Sequence, residues 1–190
     1  MYVSLKGETF DGNKFALEAL KKGASYSISD DASLPETTGL IKVQNGLRTL
    51  QDLSSYHRHK FDIPVIGITG SNGKTTTKEL MYAVLSKKFN VLATTGNFNN
   101  HIGVPLTLFE LNRDHDIAII EMGASKQGDI KELCDIADPN HGLITNIGKA
   151  HLETMGGLEG VLKTKTELFN HIRSINGKLL VHTCDKLLMS

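Results

Sequence analysis

Residues 67–76 read GITGSNGKTT and sit between an apolar run at 65–68 and a helical pattern at 75–86. A glycine-rich turn that leaves a buried strand, closes on Gly-Lys-Thr and opens a helix is the setting of a phosphate-binding loop. The residue types follow from that task. Glycines let the backbone fold so that several N–H groups converge on phosphate oxygens. The helix N-terminus adds partial positive charge. Lys74 brings a full charge to the outer phosphates, and the Thr75 hydroxyl is a ligand for Mg²⁺. Thr69, Gly70, Ser71, Asn72, Gly73, Lys74, Thr75 and Thr76 are therefore the candidate phosphate contacts. The common spacing puts a glycine where Ile68 stands, and here the glycine is Gly70 instead. This variant loop speaks against generic GTPases and transport ATPases and for a narrower group.

Outward from the loop, apolar runs recur at 91–94, 117–120, 143–147 and 179–181, with helical patterns between them. Residues 75–86 set Leu80, Met81, Val84 and Leu85 on one helical face; residues 127–137 do the same with Ile130, Leu133, Cys134 and Ala137. Continuous rather than alternating runs imply burial on both faces, hence a parallel sheet wrapped by helices. The expected fold class is α/β: a mostly parallel sheet flanked by helices carries the phosphate loop, and a smaller α/β unit precedes it. In that first unit, residues 2–5, 25–29 and 39–43 read as short strands. Residues 13–22 group Phe15, Ala16, Ala19 and Leu20 on one helical face, with Gly23 as the stop. Residues 45–60 space Leu47, Leu50 and Leu53 as a helix does. Pro64 bars helix at Ile63, so the expected domains are residues 1–62 and 63–190.

The chain has 190 residues, with 21 Lys plus Arg against 21 Asp plus Glu. Zero formal charge without a basic block argues against a nucleic-acid or membrane-surface protein. No apolar run reaches the roughly 18 residues of a membrane span, and the stretch from Met1 to Asp11 lacks a signal-peptide layout. The cysteines, Cys134 and Cys184, form no CxxC pair, which suits a reduced compartment. Aromatic residues make up 6% of the chain with no Trp, too few for a platform that stacks bases or sugars. The expectation is a cytoplasmic α/β protein.

Three further features carry chemistry. The strand at 117–120 ends in Glu121, and ligands of open parallel sheets gather at strand C-termini. Glu121 should thus face the loop and hold Mg²⁺ directly or through water; a plain strand-end surface carboxylate is the alternative. His151 follows the strand at 143–147 on the same sheet edge, though a lone histidine is commonly structural. Lys163 and Lys165 lie on nearly opposite faces of one helix and, without further context, would be solvated charges.

Taken in order, GITGSNGKTT (67–76), TTGNFNNHIGVP (94–105), EMGA (121–124), TNIGKAHLE (145–153) and the segment ending Lys165-Thr166-Glu167 resemble the Mur ligases. These are the ATP-dependent enzymes that build the peptide of peptidoglycan. GNFNNHIGVP with EMGA looks most like the MurF type, which adds D-alanyl-D-alanine to UDP-N-acetylmuramoyl-tripeptide. Residues 5–15 (LKGETFDGNKF) are similar to that type's uridine-binding domain, with Lys6, Gly7 and Asn13 as candidate substrate contacts.

The resemblance implies an acyl-phosphate mechanism. ATP phosphorylates the peptide carboxylate, the incoming amine attacks, and phosphate leaves with a new amide formed. It implies catalytic roles for Lys74, His151 and Lys165. It implies Mg²⁺ at Thr75 and Glu121, and a second Mg²⁺ at His151 and a carbamylated Lys165. Thr95, Asn97 and Asn99 would touch the UDP substrate, and Asn100 and Asn146 the nucleotide, although an Asn-rich turn needs no ligand to explain it. Monomer is the family expectation.

Family chains are more than twice as long, with three domains. Against them the chain reads as an N-terminal domain incomplete at its start and a central domain cut at Ser190, unable to complete ligation alone. Two rivals stand beside this reading: a folylpolyglutamate synthase or other Mur-type ligase, and a non-catalytic module that binds nucleotide or UDP-sugar.

Overall fold

The computed structural model describes residues 1–148, 155–183 and 188. The chain forms two compact units, Met1–Leu53 and Ser54–Ser190. In the first, β1 (Tyr2–Val3), α1 (Ala16–Lys21), β2 (Ser27–Ser29), β3 (Leu40–Lys42) and the start of α2 (Gly46–Arg58) follow in order, with a short 3₁₀ turn at Gly12–Phe15 before α1. The strands pair in parallel as β1-β2-β3. The middle strand, Ser-Ile-Ser, is buried throughout, so its hydroxyls need partners or cost stability. Ser29 Oγ donates to Asn13 Oδ1 at 2.6 Å, and Asn13 Nδ2 donates to Asp30 Oδ1 at 2.7 Å. Asp30 Oδ2 then accepts the N–H of Gly46 at 3.0 Å, at the start of α2. Those two donors, Gly46 first, hold the Asp30 carboxyl below the usual carboxylate range.

The second unit contains β4 (Val65–Thr69), α3 (Lys74–Leu85), β5 (Val91–Ala93), α4 (Gly103–Phe109), β6 (Ile117–Glu121), α5 (Asp129–Ala137), β7 (His141–Ile144), α6 (Gly157–Ser174) and β8 (Lys178–Leu180). The strand order is β5-β6-β4-β7-β8, all parallel. Every residue of β4 and β6 is buried, as continuous apolar runs require of a doubly covered sheet. Alternate side chains divide between two cores. Val65, Ala118 and Ile120 join Leu108 of α4, Ile130 and Leu133 of α5, and Leu168 of α6. Ile66, Ile68, Ile117 and Ile119 face the other way, onto Met81 and Leu85 of α3. Gly67 leaves room for α6, because a Cβ there would lie 3.0 Å from Leu168 Cδ1 and 3.3 Å from Pro139.

The strands form where the apolar runs predict, with one shift: the run read at 143–147 pairs instead over His141–Ile144. Asn140 starts that pairing early: its Oδ1 accepts the Val65 N–H at 2.9 Å and its own N–H donates to the Val65 carbonyl at 3.0 Å. Helix α3 presents a different face from the one expected. Met81 and Leu85 pack inward, but Leu80 and Val84 are 64% and 70% exposed. The inward stripe is Lys78, Met81 and Leu85, so the pattern was misread because a lysine occupies a core position. Helix α4 was not anticipated: its GVPLTLF sequence holds both residues that argue against helix. Pro105 is tolerated because it sits in the first turn, where no intrahelical partner awaits its missing N–H.

Arg58 is 6% exposed and ties α2 to the end of α5. Its Nε donates to the Ala137 carbonyl at 3.0 Å, Nη2 to that of Asp138 at 3.1 Å and Nη1 to that of Phe61 at 2.9 Å. Asp138 closes α5 in the left-handed conformation, so the Ala137 and Asp138 carbonyls have no intrahelical donor. Arg58→Met should therefore lower unfolding free energy by about 2–4 kcal/mol, read by urea denaturation. An unchanged midpoint would show that water satisfies those carbonyls equally well.

Candidate active site

The C-terminal ends of β4, β6 and β7 meet where the strand order reverses around β4, the place where open α/β sheets bind ligands. Three segments converge there. The first is the loop from Gly70 to Gly73. Gly70 has φ +145°, open to glycine, and a Cβ on it would collide with the Thr145 hydroxyl. Gly73, left-handed at φ 76°, precedes α3 and no side chain caps the helix there. The first amides of α3 thus point outward without a side-chain acceptor, as an anion site requires.

The second segment follows β7 and clamps the loop. The Ser71 N–H donates to the Asn146 carbonyl at 3.1 Å, and the Asn72 N–H to Asn146 Oδ1 at 3.1 Å. The Asn72 carbonyl accepts from Thr145 Oγ1 at 2.6 Å and from Asn146 Nδ2 at 3.0 Å. Ser71 Oγ accepts the Gly148 N–H at 2.9 Å. Both polar ends of Asn146 are occupied by loop backbone, so its visible task is to shape the loop. Thr69 is likewise turned inward: it is fully buried and its hydroxyl donates to the Met122 carbonyl at 2.8 Å.

The third segment surrounds Glu121, which is 1% exposed. Its Oε2 accepts from Thr75 Oγ1 at 2.9 Å and its Oε1 from Asn99 Nδ2 at 2.8 Å. The strand-end carboxylate thus faces the loop, as its position after β6 predicts. Both bonding partners are neutral, so among the described residues a buried carboxylate stands beside the loop with no cation bonded to it. A hydroxyl and a carboxylate are hard oxygen donors, which suits Mg²⁺. Among the described residues no cluster of His, Cys, Asp and Glu by itself forms a metal site.

The first segment and the Asn99 side of the third border a cavity of about 400 Å³. Gly70, Ser71 and Lys74 form one wall, Asn99, Asn100 and His101 another, and Gly123, Ala124, Ser125, Asp129, Glu132 and Leu133 a third. Lys165 closes it from α6. Lys165 is 2% exposed whereas Lys163 is exposed, so only one of the two helix lysines is a solvated charge. Burial, then the nearby Lys74, push the Lys165 amine down to about 8, against the pull of Asp129 and Glu167. Burial also lowers Lys74, whose Nζ donates to the Gly70 carbonyl at 2.9 Å.

The remaining sequence candidates scatter. Asn100 lines the cavity but spends its Oδ1 on the Ile102 and Gly103 N–H groups, at 3.1 and 2.8 Å, and so starts α4. Thr76, Thr95 and Asn97 are exposed and stand outside the cavity wall. In the first unit, Asn13 is buried in the polar network described above, and Lys6 lies 3.8 Å from Asp11. Gly7 donates its N–H to Phe10 at 2.8 Å. His151 lies outside the described residues. Sequence reasoning missed Asp129, whose Oδ2 accepts the Ser125 and Lys126 N–H groups at 2.8 and 3.0 Å. An acidic residue at the first turn of a predicted helix was the available signal.

Fold and site together define a phosphate-loop α/β domain with a parallel, doubly wound sheet. A family model, the Mur ligase middle domain, matches residues 68–188, and the chain belongs to the Mur ligase family. A UDP-N-acetylmuramoyl-tripeptide--D-alanyl-D-alanine ligase of Synechocystis sp. is 46% identical over 173 residues, which cover 90% of this chain and 38% of that protein. The crystal structure of MurF from Acinetobacter baumannii matches with a TM-score of 0.90 at 36% identity, covering 97% of this chain and 41% of the other. MurF ligase from Thermotoga maritima, solved in complex with ADP, matches at 0.83 and 39% identity, covering 89% and 39%. The chain spans about two fifths of the length of these relatives.

Lys165 gives a pH test. Its folded pKa of about 8 lies below the free value of 10.5, so between these limits the unfolded chain holds more protons. The cost of burying the charged amine is complete below pH 8 and fades as pH rises toward 10.5. Lys165→Met should stabilise the fold by about 1–3 kcal/mol at pH 7 in CO₂-free buffer, with the gain shrinking in that window. A gain independent of pH would mean that the amine is not desolvated.

Proposed function

We propose that the chain carries the nucleotide-binding and part of the substrate-binding apparatus of an ATP-dependent ligase that joins D-alanyl-D-alanine to UDP-N-acetylmuramoyl-tripeptide. The observation that carries this reading is the Glu121 carboxylate, buried and bonded to Thr75 and Asn99, beside an uncapped helix N-terminus and Lys74. The relatives' names supply the substrates.

In this reading the amides of Gly73 and of the first turn of α3 receive the ATP phosphates, and Lys74 turns from the Gly70 carbonyl to their outer oxygens. Thr75 and Glu121 hold Mg²⁺, which when bound supplies the positive charge that lets a carboxylate approach phosphorus. Transfer of the γ-phosphoryl group to the tripeptide carboxylate gives an acyl phosphate and ADP. Attack by the D-alanyl-D-alanine amine then forms the amide and releases phosphate. Asn99, turned toward both Glu121 and the cavity, stands between nucleotide and peptide, with Thr95 and Asn97 beside it toward the UDP substrate. Residues 1–62 bind the UDP moiety through the region of Lys6, Gly7 and Asn13, and residues 63–190 handle ATP. The protein works as a cytoplasmic monomer; no helix among the described residues is long and apolar enough to cross a membrane.

Lys165 has a further part in this reading. Its lowered pKa leaves a share of the amine neutral near pH 7.5, and the neutral amine is the form that adds CO₂. The resulting carbamate turns a cation into an oxygen ligand, which with His151 would hold a second Mg²⁺. In ¹³C-bicarbonate the intact protein should show a carbamate carbon resonance that Lys165→Met removes. Its absence from the unaltered protein would remove the modification from the proposal.

The ligase reading itself is tested in the intact protein by Lys74→Ala. D-alanyl-D-alanine-dependent phosphate release should fall by about 10²-fold or more, the scale for removing a charge that stabilises a transition state. Undiminished turnover would overturn it. Use of folate in place of the UDP-tripeptide would favour the folylpolyglutamate synthase alternative.

A further inference from the structure

Lys78 stands one turn beyond Thr75 on α3, at a core position, and is 1% exposed. A charged ammonium this deep is costly unless its donors are used. Lys78 Nζ donates to the Thr94 carbonyl at 2.5 Å and lies 2.9 Å from Glu79 Oε1. Thr94 follows the last residue of β5 and is itself 1% exposed. It is fixed from two further sides: its N–H donates to the Ile119 carbonyl at 3.0 Å, and its Oγ1 accepts the Glu121 N–H at 2.9 Å. The ring closes on α3, because Glu121 Oε2 accepts from Thr75. Directly after Thr94 comes the loop that delivers Asn99 to Glu121 Oε1.

We infer that Lys78 is a positioning residue. Its ammonium pins the Thr94 carbonyl, which sets the backbone of Glu121 and the start of the 95–100 loop, and so aims the carboxylate and the Asn99 amide at the site. Lys78 does not line the cavity and touches no substrate position. A methionine could fill its volume, so packing alone does not account for a buried charge here; the short bond to the end of β5 does.

This inference rests on the ligase reading for its probes, Mg²⁺ and the ATP analogue AMP-PNP. In the intact protein, Lys78→Met should raise the Mg²⁺ concentration needed for half-maximal AMP-PNP binding by about 10- to 100-fold, the range found when a partner that orients a metal ligand is lost. Lys78→Arg, which keeps a donor, should recover part of that loss. Thr94→Val removes the acceptor for the Glu121 N–H and should shift the same reading, which covers the case in which Lys78→Met does not fold. Hydrogen exchange in the nucleotide-free protein gives a second readout: amides at 95–100 and at Glu121 should exchange faster in Lys78→Arg and Thr94→Val, with those of α5 unchanged. A Lys78→Met protein that folds and keeps the unaltered Mg²⁺ requirement would overturn the inference, as would exchange that rises uniformly. If the unaltered protein shows no Mg²⁺-dependent AMP-PNP binding, the ligase reading falls, and the exchange pattern still decides the role of Lys78.

Discussion

The site depends on a constraint that the phosphate loop cannot meet by itself: a short turn of Gly, Ser and Asn has no apolar side chain with which to hold a shape. The segment after β7 supplies the hold. Asn146 gives the loop both an acceptor and a donor, Thr145 adds a hydroxyl, and the Gly148 N–H meets Ser71. Without this clamp the Ser71 and Asn72 N–H groups would be left to water. With it the loop backbone that leads into Gly73 and α3 is set before any anion arrives, which lowers the ordering cost of binding there. The sheet makes the clamp possible, because β7 pairs with β4 in register up to the point where Thr69 meets Ile144.

The same logic runs on the other side of β4. Glu121 ends β6, and its carboxylate is aimed by three elements: α3 through Thr75, the β5–α4 loop through Asn99, and β5 through Thr94. None of these bonds is a large energy by itself. Together they hold one buried carboxylate in one orientation. Lys165, which lines the cavity from α6, is a second buried charge. A buried carboxylate bonded to Asn99 and a buried lysine, in a site whose cavity both Asn99 and Lys165 line, are what a purely structural core would avoid.

Much of this could be read in the sequence, for definite reasons. The strands of the second unit betray themselves because burial on both faces leaves no room for polar alternation, and GKT after such a strand narrows the loop to one role. Glu121 is legible from its place at a strand end. Lys165 was legible in principle: it interrupts the stripe of Val161, Leu168 and Ile172, all fully buried. Helical spacing alone leaves it one of two solvated lysines, and only the resemblance to the Mur ligases gives it a role at the site. Lys78 misled in the same way, since an apolar face drawn through Leu80 and Val84 avoids the lysine that the core contains. Periodicity assumes that charges face water, and functional sites are where that assumption fails. The tasks of Asn146 and Asn100 could not be read at all, because an asparagine that clamps backbone and one that meets a ligand look alike in one dimension.

The Asn72–Asn146 contact joins residues 74 positions apart, although the loop looks like the most local feature of the chain. Closing so long a segment costs entropy that is repaid only when β6 and β7 have both docked on β4. During synthesis the motif at 67–76 is made early, yet its partner at 145–148 is made much later. A nascent chain that has not reached Thr145 holds the phosphate loop's letters without its shape. The most recognisable stretch of this protein thus takes its clamped shape only after the segment at 145–148 has been made and β7 has docked on β4.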